Sequence, residues 1–249
     1  VKVSSQFESL GTYGALDADR GGFQQRFVDL VMPDARLAQR VLDVGCGGRF
    51  PPELTQLRSA IHALDGIDPD PAVLRHDGLM NRWKGRLEDN PVPAATYDLI
   101  LSYNVVEHVD NPGRFLNAVG CALKPGGVFW FLTPHARHPF AWAVRLVQGS
   151  GLRRFWRRNL HGEHGQTIVN DYPAYYRMNS ARAIRHWTDE QMFASVCFHY
   201  LPCMQWDTYF PVRLRWLPHL YDRVLGTRFA AGSLLLACRM TKRSDLKEP

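Results

Sequence analysis

Val41-Leu42-Asp43-Val44-Gly45-Cys46-Gly47-Gly48-Arg49-Phe50 is the stretch whose reading decides the fold. An apolar, β-branched run passes without a break into small residues, and Pro51-Pro52-Glu53 then opens a helix. The sequence reads as a strand, a tight glycine turn and a helix N-terminus. Glycines at 45 and 47 permit positive φ and let a ligand lie against bare main chain. Proline in the first helical turn gives up only an N–H that has no partner there. Such a turn is where open α/β sheets bind nucleotides. The NAD and FAD fingerprint needs a third glycine where Phe50 stands, and a Walker loop needs a lysine that does not follow Gly48. A dinucleotide and a bound polyphosphate are both disfavoured.

The next element supports a nucleoside. A second strand is expected over Ala63 to Asp68, ending Gly66-Ile67-Asp68-Pro69-Asp70-Pro71. An acid at that place, about twenty residues past the glycine turn, can accept hydrogen bonds from both ribose hydroxyls. Asp68 could equally cap the helix that follows, a common aspartate role. Residues 72 to 82 read as that helix, and Trp83 to Leu87 as a short third strand. Upstream, Phe23, Phe27, Leu30 and Val31 recur at helical spacing within Gly21 to Met32, the signature of a helix packed on the sheet edge.

Tyr97 to Asn104 is the fourth strand, running into Val105-Val106-Glu107-His108-Val109-Asp110-Asn111-Pro112 and a helix to Leu123 with Phe115, Leu116 and Val119 on its apolar face. Lys124-Pro125-Gly126-Gly127 stops that helix, and Val128 to Thr133 forms the fifth strand. Thr188 with Gln191 fits a capping box opening a helix to about Val196. A sixth strand is expected over Phe198 to Gln205, a short helix within Pro211 to Leu225, and a last strand over Ala230 to Met240.

Asp43-x-Gly45-x-Gly47, Asp68, the Tyr97-Asp98-Leu99-Ile100 strand, Glu107-His108-Val109 and Leu123-Lys124-Pro125-Gly126-Gly127 together resemble the motifs of the class I S-adenosylmethionine methyltransferases. The resemblance covers residues 40 to 134 and is closest to the small-molecule branch with quinone-biosynthesis and sugar enzymes. It implies a Rossmann-like α/β three-layer sandwich, a seven-stranded mostly parallel sheet with an antiparallel edge, and S-adenosylmethionine as cofactor. Carried over residue by residue, the cofactor contacts are Asp43, Gly45, Cys46, Gly47, Asp68, Pro69, Leu87, Glu88, Asn104 and Val105. The match has departures. Arg49 replaces a frequent third glycine, and Arg86 stands where the adenine loop usually has its acid, so that role moves to the Leu87 backbone and the Glu88 side chain.

His108 lies just beyond the fourth strand and is the candidate general base or substrate-positioning group, since neutral imidazole suits proton removal near pH 7. It could instead brace the loop. Some quinone enzymes bind a divalent metal through a Glu-x-x-Glu-His run; Asn104 replaces the first glutamate, and no metal is expected. His161, Glu163 and His164 sit among glycines without further ligands and read as surface or substrate-facing.

The chain has 249 residues, a formal charge of +6 and five scattered cysteines without a C-x-x-C pair. Its sequence pI is about 9.2. That composition fits one globular domain with reduced cysteines and a cytoplasmic setting. The opening residues lack an apolar signal core, and no uncharged apolar run could span a bilayer. The expected organisation is an arm and helix over 1–39, with Tyr13 and Arg20 as contacts over the cofactor, a binding core over 40–134 and a basic aromatic lid over 135–187. Edge elements over 188–241 and a tail over 242–249 complete it.

Arg153-Arg154-Phe155-Trp156-Arg157-Arg158 and neighbouring tyrosines give the lid its character. Arginine forks suit phosphate or carboxylate, and aromatic rings suit a sugar face or an apolar tail. The expected reaction is methyl transfer to a hydroxyl of a small or lipid-linked saccharide or related metabolite. The alternatives are an isoprenoid quinone or aromatic O- or C-methyltransferase and a non-catalytic binding subunit. Peripheral contact with an anionic membrane is compatible with Trp142, Trp156 and the arginines. Nucleic acid is not expected, since no recognition module is present.

Overall fold

A computed structural model describes residues 22–89, 92–139, 141–142, 172–201, 212–214, 216–221, 224 and 233–245. The expected arm with Tyr13 and Arg20, most of the expected lid, including Trp156, His161, Glu163 and His164, and the end of the tail lie outside these residues.

A seven-stranded sheet runs in the order β3-β2-β1-β4-β5-β7-β6. β1 (Arg40–Val44), β2 (Ala63–Asp68), β3 (Arg82–Lys84), β4 (Tyr97–Tyr103) and β5 (Leu123–Pro134) are mutually parallel. β6 (Phe193–Leu201) and β7 (Leu235–Lys242) form an antiparallel edge, with β7 paired to β5. The Rossmann-like expectation, its strand count and its antiparallel edge are met. Successive strand side chains alternate between two cores. Val41, Leu99, Leu101, Trp130 and Ala237 pack on the side of α1 (Phe23–Leu37) and α2 (Thr55–Ala60). Leu42, Ile100, Phe129, Phe131 and Cys238 face α3 (Pro112–Ala122) and α4 (Ala181–Trp187). The chain moves outward one way through β1, β2 and β3, then crosses to β4 on the other side of β1. Loops after β1 and β4 therefore diverge at the carboxyl rim and leave a crevice between them.

Several boundaries differ from the sequence reading. α1 continues past Met32 to Leu37 with Pro33 inside it. The expected helix over 72–82 is only a 3-10 turn, Pro71–Arg75, ended by the His76-Asp77-Gly78 turn, where the Gly78 amide donates to His76 Nδ1 at 3.1 Å. The third strand is Arg82–Lys84, so Leu87 lies beyond it. β5 starts at Leu123, straight out of α3, and Gly126 with φ +77° sits in a register irregularity against β4.

Thr188 does not open a helix. Ser180 caps α4, and Thr188 ends it by donating its amide and its hydroxyl to the Ile184 carbonyl. Asp189 then accepts from the Gln191 amide in a turn, and buried Phe193, Val196, Phe198 and Leu201 belong to a strand that begins well before the expected Phe198. The helix expected within Pro211 to Leu225 is described as a 3-10 turn, Val212–Leu214, and α5 (Trp216–Tyr221).

α1 is fastened to the sheet by charge. Asp34 accepts from Arg239 Nε and Nη2 at 2.8 and 2.9 Å and from Trp130 Nε1 at 2.6 Å. Burial pulls the Asp34 carboxyl upward, but the bonds from Arg239 and Trp130 outweigh it and leave it below the usual range. A carboxyl held below its unfolded value stabilises the fold above that value and loses the contribution as pH falls through the folded one. Asp34→Asn should therefore cost about 1–3 kcal/mol at neutral pH. The gap between wild type and variant in urea midpoints should shrink below about pH 4.

Candidate functional site

The crevice is built on close main-chain approach. Gly45 leaves β1 with φ +80°, its amide donates to the Ile67 carbonyl at 2.8 Å, and a Cβ there would lie 2.2 Å from Val105 Cγ2. Glycine at 45 is thus required by the packing of the β1 turn on the β4 turn. At Gly47, φ is +58° and nothing lies within 4 Å of a would-be Cβ, so its requirement is backbone conformation alone. Asn104 turns the chain out of β4 at φ +56°, a region asparagine tolerates, with its amide on the Leu132 carbonyl at 2.9 Å.

Asp68 ties the two strand ends together. Its Oδ2 accepts from the Gly47 amide at 2.8 Å and its Oδ1 from the Asp70 amide at 2.7 Å. The helix-cap role belongs to Asp70, which accepts from the Ala72 amide at 2.8 Å. Each Asp68 oxygen retains a lone pair for a further donor, the chemistry two ribose hydroxyls require.

A cavity of about 270 Å³ is lined by Gly45, Asp68, Pro69, Leu87, Glu88, Asn104, Val105 and His108, with Arg86, Tyr172 and Pro173 at its wall. Burial pushes the Glu88 carboxyl up. Asp43 and Cys46 line, with Ser102, a second, smaller cavity that shares Gly45 and Tyr103 with the first. The Cys46 side chain packs over Gly66, where a Cβ would meet its sulfur at 2.6 Å. Burial raises that thiol far above its ordinary value. The Gly47 contribution is its amide, given to Asp68.

Asp43 is buried; desolvation first, and then the Asp68 charge, push its carboxyl up to about 7. Ser102 Oγ, in the same lining, is buried and has no hydrogen-bond partner among the described residues.

The opposite wall comes from the segment at 172–179. The Tyr175 and Tyr176 amides donate to the Glu107 carbonyl at 2.7 and 3.1 Å. Burial raises the Glu107 carboxyl, which accepts from Thr133 Oγ1 at 3.0 Å, and Thr133 in turn accepts from Asn179 Nδ2 at 2.5 Å. His108 Nδ1 lies 3.0 Å from the Pro173 carbonyl oxygen. A carbonyl only accepts, so Nδ1 carries a proton and the lone pair of neutral imidazole is on Nε2. Tyr172, Pro173, Thr133 and Asn179 were not singled out from sequence as site residues. A Tyr-Pro pair far downstream in an aromatic stretch carries no spacing signal, and neither does a lone Asn.

The sequence profile of the methyltransferase domain family matches residues 16–194. The chain belongs to that family. It is 35% identical over 112 residues to the ubiquinone biosynthesis O-methyltransferase of Paramagnetospirillum magneticum, covering 43% of this chain and 45% of that protein. Over 111 residues it is 31% identical to a probable S-adenosylmethionine-dependent methyltransferase of Mycolicibacterium smegmatis, covering 40% and 42%. The chain spans about half the length of the curated relatives it matches. In fold it is similar to an S-adenosylmethionine-dependent methyltransferase from Archaeoglobus fulgidus (TM-score 0.55, 16% identity, 91% and 97% of the two chains). It is also similar to the N-methyltransferase NodS of Bradyrhizobium japonicum in complex with S-adenosyl-L-homocysteine (0.51, 13%, 91% and 91%). Family and fold together are those of a methyltransferase domain.

Two outcomes follow from the glycine turn. Gly45→Ala must displace Val105 as well as strain φ, so it should abolish measurable S-adenosylhomocysteine binding in calorimetry. Gly47→Ala, strained but unobstructed, should weaken binding by about tenfold or less. For Asp43, a carboxyl raised above its unfolded value costs stability as pH rises from about 4, and the cost levels off once the folded value is passed. Asp43→Asn should therefore unfold at higher urea than wild type at pH 8, with the advantage gone near pH 4.

Proposed function

We propose that the chain transfers the methyl group to a hydroxyl on an aromatic or quinone-type ring, with His108 Nε2 as general base. The observation that carries this is the His108–Pro173 contact, which leaves an imidazole lone pair on a residue lining the donor cavity. The donor supplies an electrophilic methyl on a sulfonium. Such a transfer is an in-line displacement, so the protein's work is alignment, exclusion of water and removal of one proton. Asp68, itself fixed by the Gly47 amide, holds the ribose end, Asn104 and Val105 form the floor beside it, and Tyr172 and Pro173 cover the outer side. The hydroxyl oxygen forms its bond to the methyl carbon as the carbon–sulfur bond breaks, and its proton passes to Nε2.

The ring acceptor replaces the saccharide expected from the arginine-rich stretch. Support comes from the curated relatives, several of which are ubiquinone biosynthesis O-methyltransferases. The sugar reading rested on residues that lie mostly outside those described. Among the described residues no helix is long and apolar enough to cross a membrane. A lipid-borne acceptor would therefore be met at a surface.

His108→Ala should lower kcat by about a hundredfold or more against a catechol-type acceptor. Affinity for S-adenosylhomocysteine should stay within a few-fold of wild type. Unchanged kcat would remove His108 as base, and transfer to sugars alone would remove the ring acceptor.

A further inference from the structure

The sequence puts Tyr172 in the aromatic lid expected to shape the acceptor pocket, yet it lines the donor cleft. Its side chain shares the lining of the 270 Å³ cavity with Asp68, Pro69, Arg86 and Glu88, the ribose and adenine side of the crevice. The ring meets His108 edge-on, centroids 6.3 Å apart and planes at 64°. The segment that carries it is pinned to the turn after β4 by main-chain and side-chain hydrogen bonds. Pro173 accepts from His108, Tyr175 and Tyr176 donate to the Glu107 carbonyl, and Arg177 Nη1 donates to the Asp110 carbonyl. Tyr176 holds φ +53° within this segment, a bend that turns it along the cleft.

The charges around Tyr172 are consistent with the lining it shares. Partial burial raises the Tyr172 phenol, the Asp68 and Asp70 charges raise it further, and Arg86 opposes them. Tyr172 is 41% exposed, so one side of it is open while the other closes the cavity.

We propose that Tyr172 is a donor-binding residue whose ring roofs the adenosine end of the cleft, while Pro173 behind it holds His108 in the base-competent tautomer. This rests on the methyl-donor reading of the cleft. The ligand it recognises is a purine nucleoside carrying a 5′-thioether, through ring contact and not through the amino-acid end. One short strap then serves both substrates of the reaction: Tyr172 covers the donor, and the next residue orients the group that faces the acceptor.

The test is calorimetry with S-adenosylhomocysteine and with methylthioadenosine, which lacks the amino-acid end, on wild type, Tyr172→Ala, Tyr172→Leu and Tyr172→Phe. An aromatic contact is worth about 0.5–1.5 kcal/mol, so the Ala and Leu variants should lose about three- to tenfold for both ligands alike. Phe should stay within about twofold. Leu keeps the bulk, and unchanged melting temperatures would show that losses are not unfolding. Equal affinities in wild type and Ala for both ligands overturn the proposal, as does an effect confined to the KM of the acceptor. Failure of wild type to bind S-adenosylhomocysteine would overturn the donor reading itself, a different result from loss in the variants alone.

Discussion

The site depends on one carboxylate shared between two main-chain amides. Asp68 is nearly buried, and its charge is held by Gly47 N–H from the β1 turn and Asp70 N–H from its own. Hydrogen bonds to an ionised group are worth more than neutral ones, about 1.5–3 kcal/mol each. They fix the spacing between two loops that would otherwise be set only by packing. The cost falls on Asp43, which lies in the same low-dielectric region and is kept partly protonated near neutrality by desolvation and by Asp68. Two carboxyls with different environments result: Asp68 is held by main-chain amides, and Asp43 is buried with its carboxyl pushed up. This is a local instability of the kind binding sites carry and cores do not.

Much of this arrangement was legible in the sequence because parallel strands buried on both faces read as unbroken apolar runs. Ala63–Asp68 was bounded as observed, and the β1 and β4 runs differ by a residue at most at each end. Both cores use those runs, alternating along Phe129, Trp130 and Phe131. Less legible were segments whose fate is decided by polar side chains competing for the same amides. Thr188-Asp189-Glu190-Gln191 has the composition of a helix start, yet Ser180 had already capped the preceding helix and Thr188 closes it. At 72–82 the apolar spacing is helical, but His76 and Asn81 draw backbone groups into other bonds: His76 Nδ1 to Gly78 and the Asn81 amide to Asp65.

The site itself was half legible. Residues chosen for side-chain chemistry, Asp68 and His108, do meet at one cavity with Gly45, Leu87, Glu88, Asn104 and Val105. What spacing could not reveal is which atom of each residue matters. Gly45 is demanded by Val105, a contact between turns some sixty residues apart in the chain. Cys46 points into the packing over Gly66. Ser102, Thr133 and Asn179 are ordinary strand and loop residues until the sheet brings them to the rim.

The His108 environment shows why a motif alone leaves a histidine's role open. Glu107 and His108 are adjacent, but their side chains serve different partners. The Glu107 carboxyl is inside, hydrogen-bonded to Thr133, and its carbonyl receives two amides from the strap. That places the Pro173 carbonyl within reach of Nδ1 on the next residue. The imidazole's proton inventory is therefore decided by main-chain atoms contributed from far along the chain, through a buried carboxyl that touches neither reactant. Without the Pro173 carbonyl, Nδ1 would turn to water and both tautomers of the ring would be populated. The Glu107–Thr133–Asn179 hydrogen-bond chain thus stands behind the strap whose Pro173 carbonyl sets the His108 tautomer.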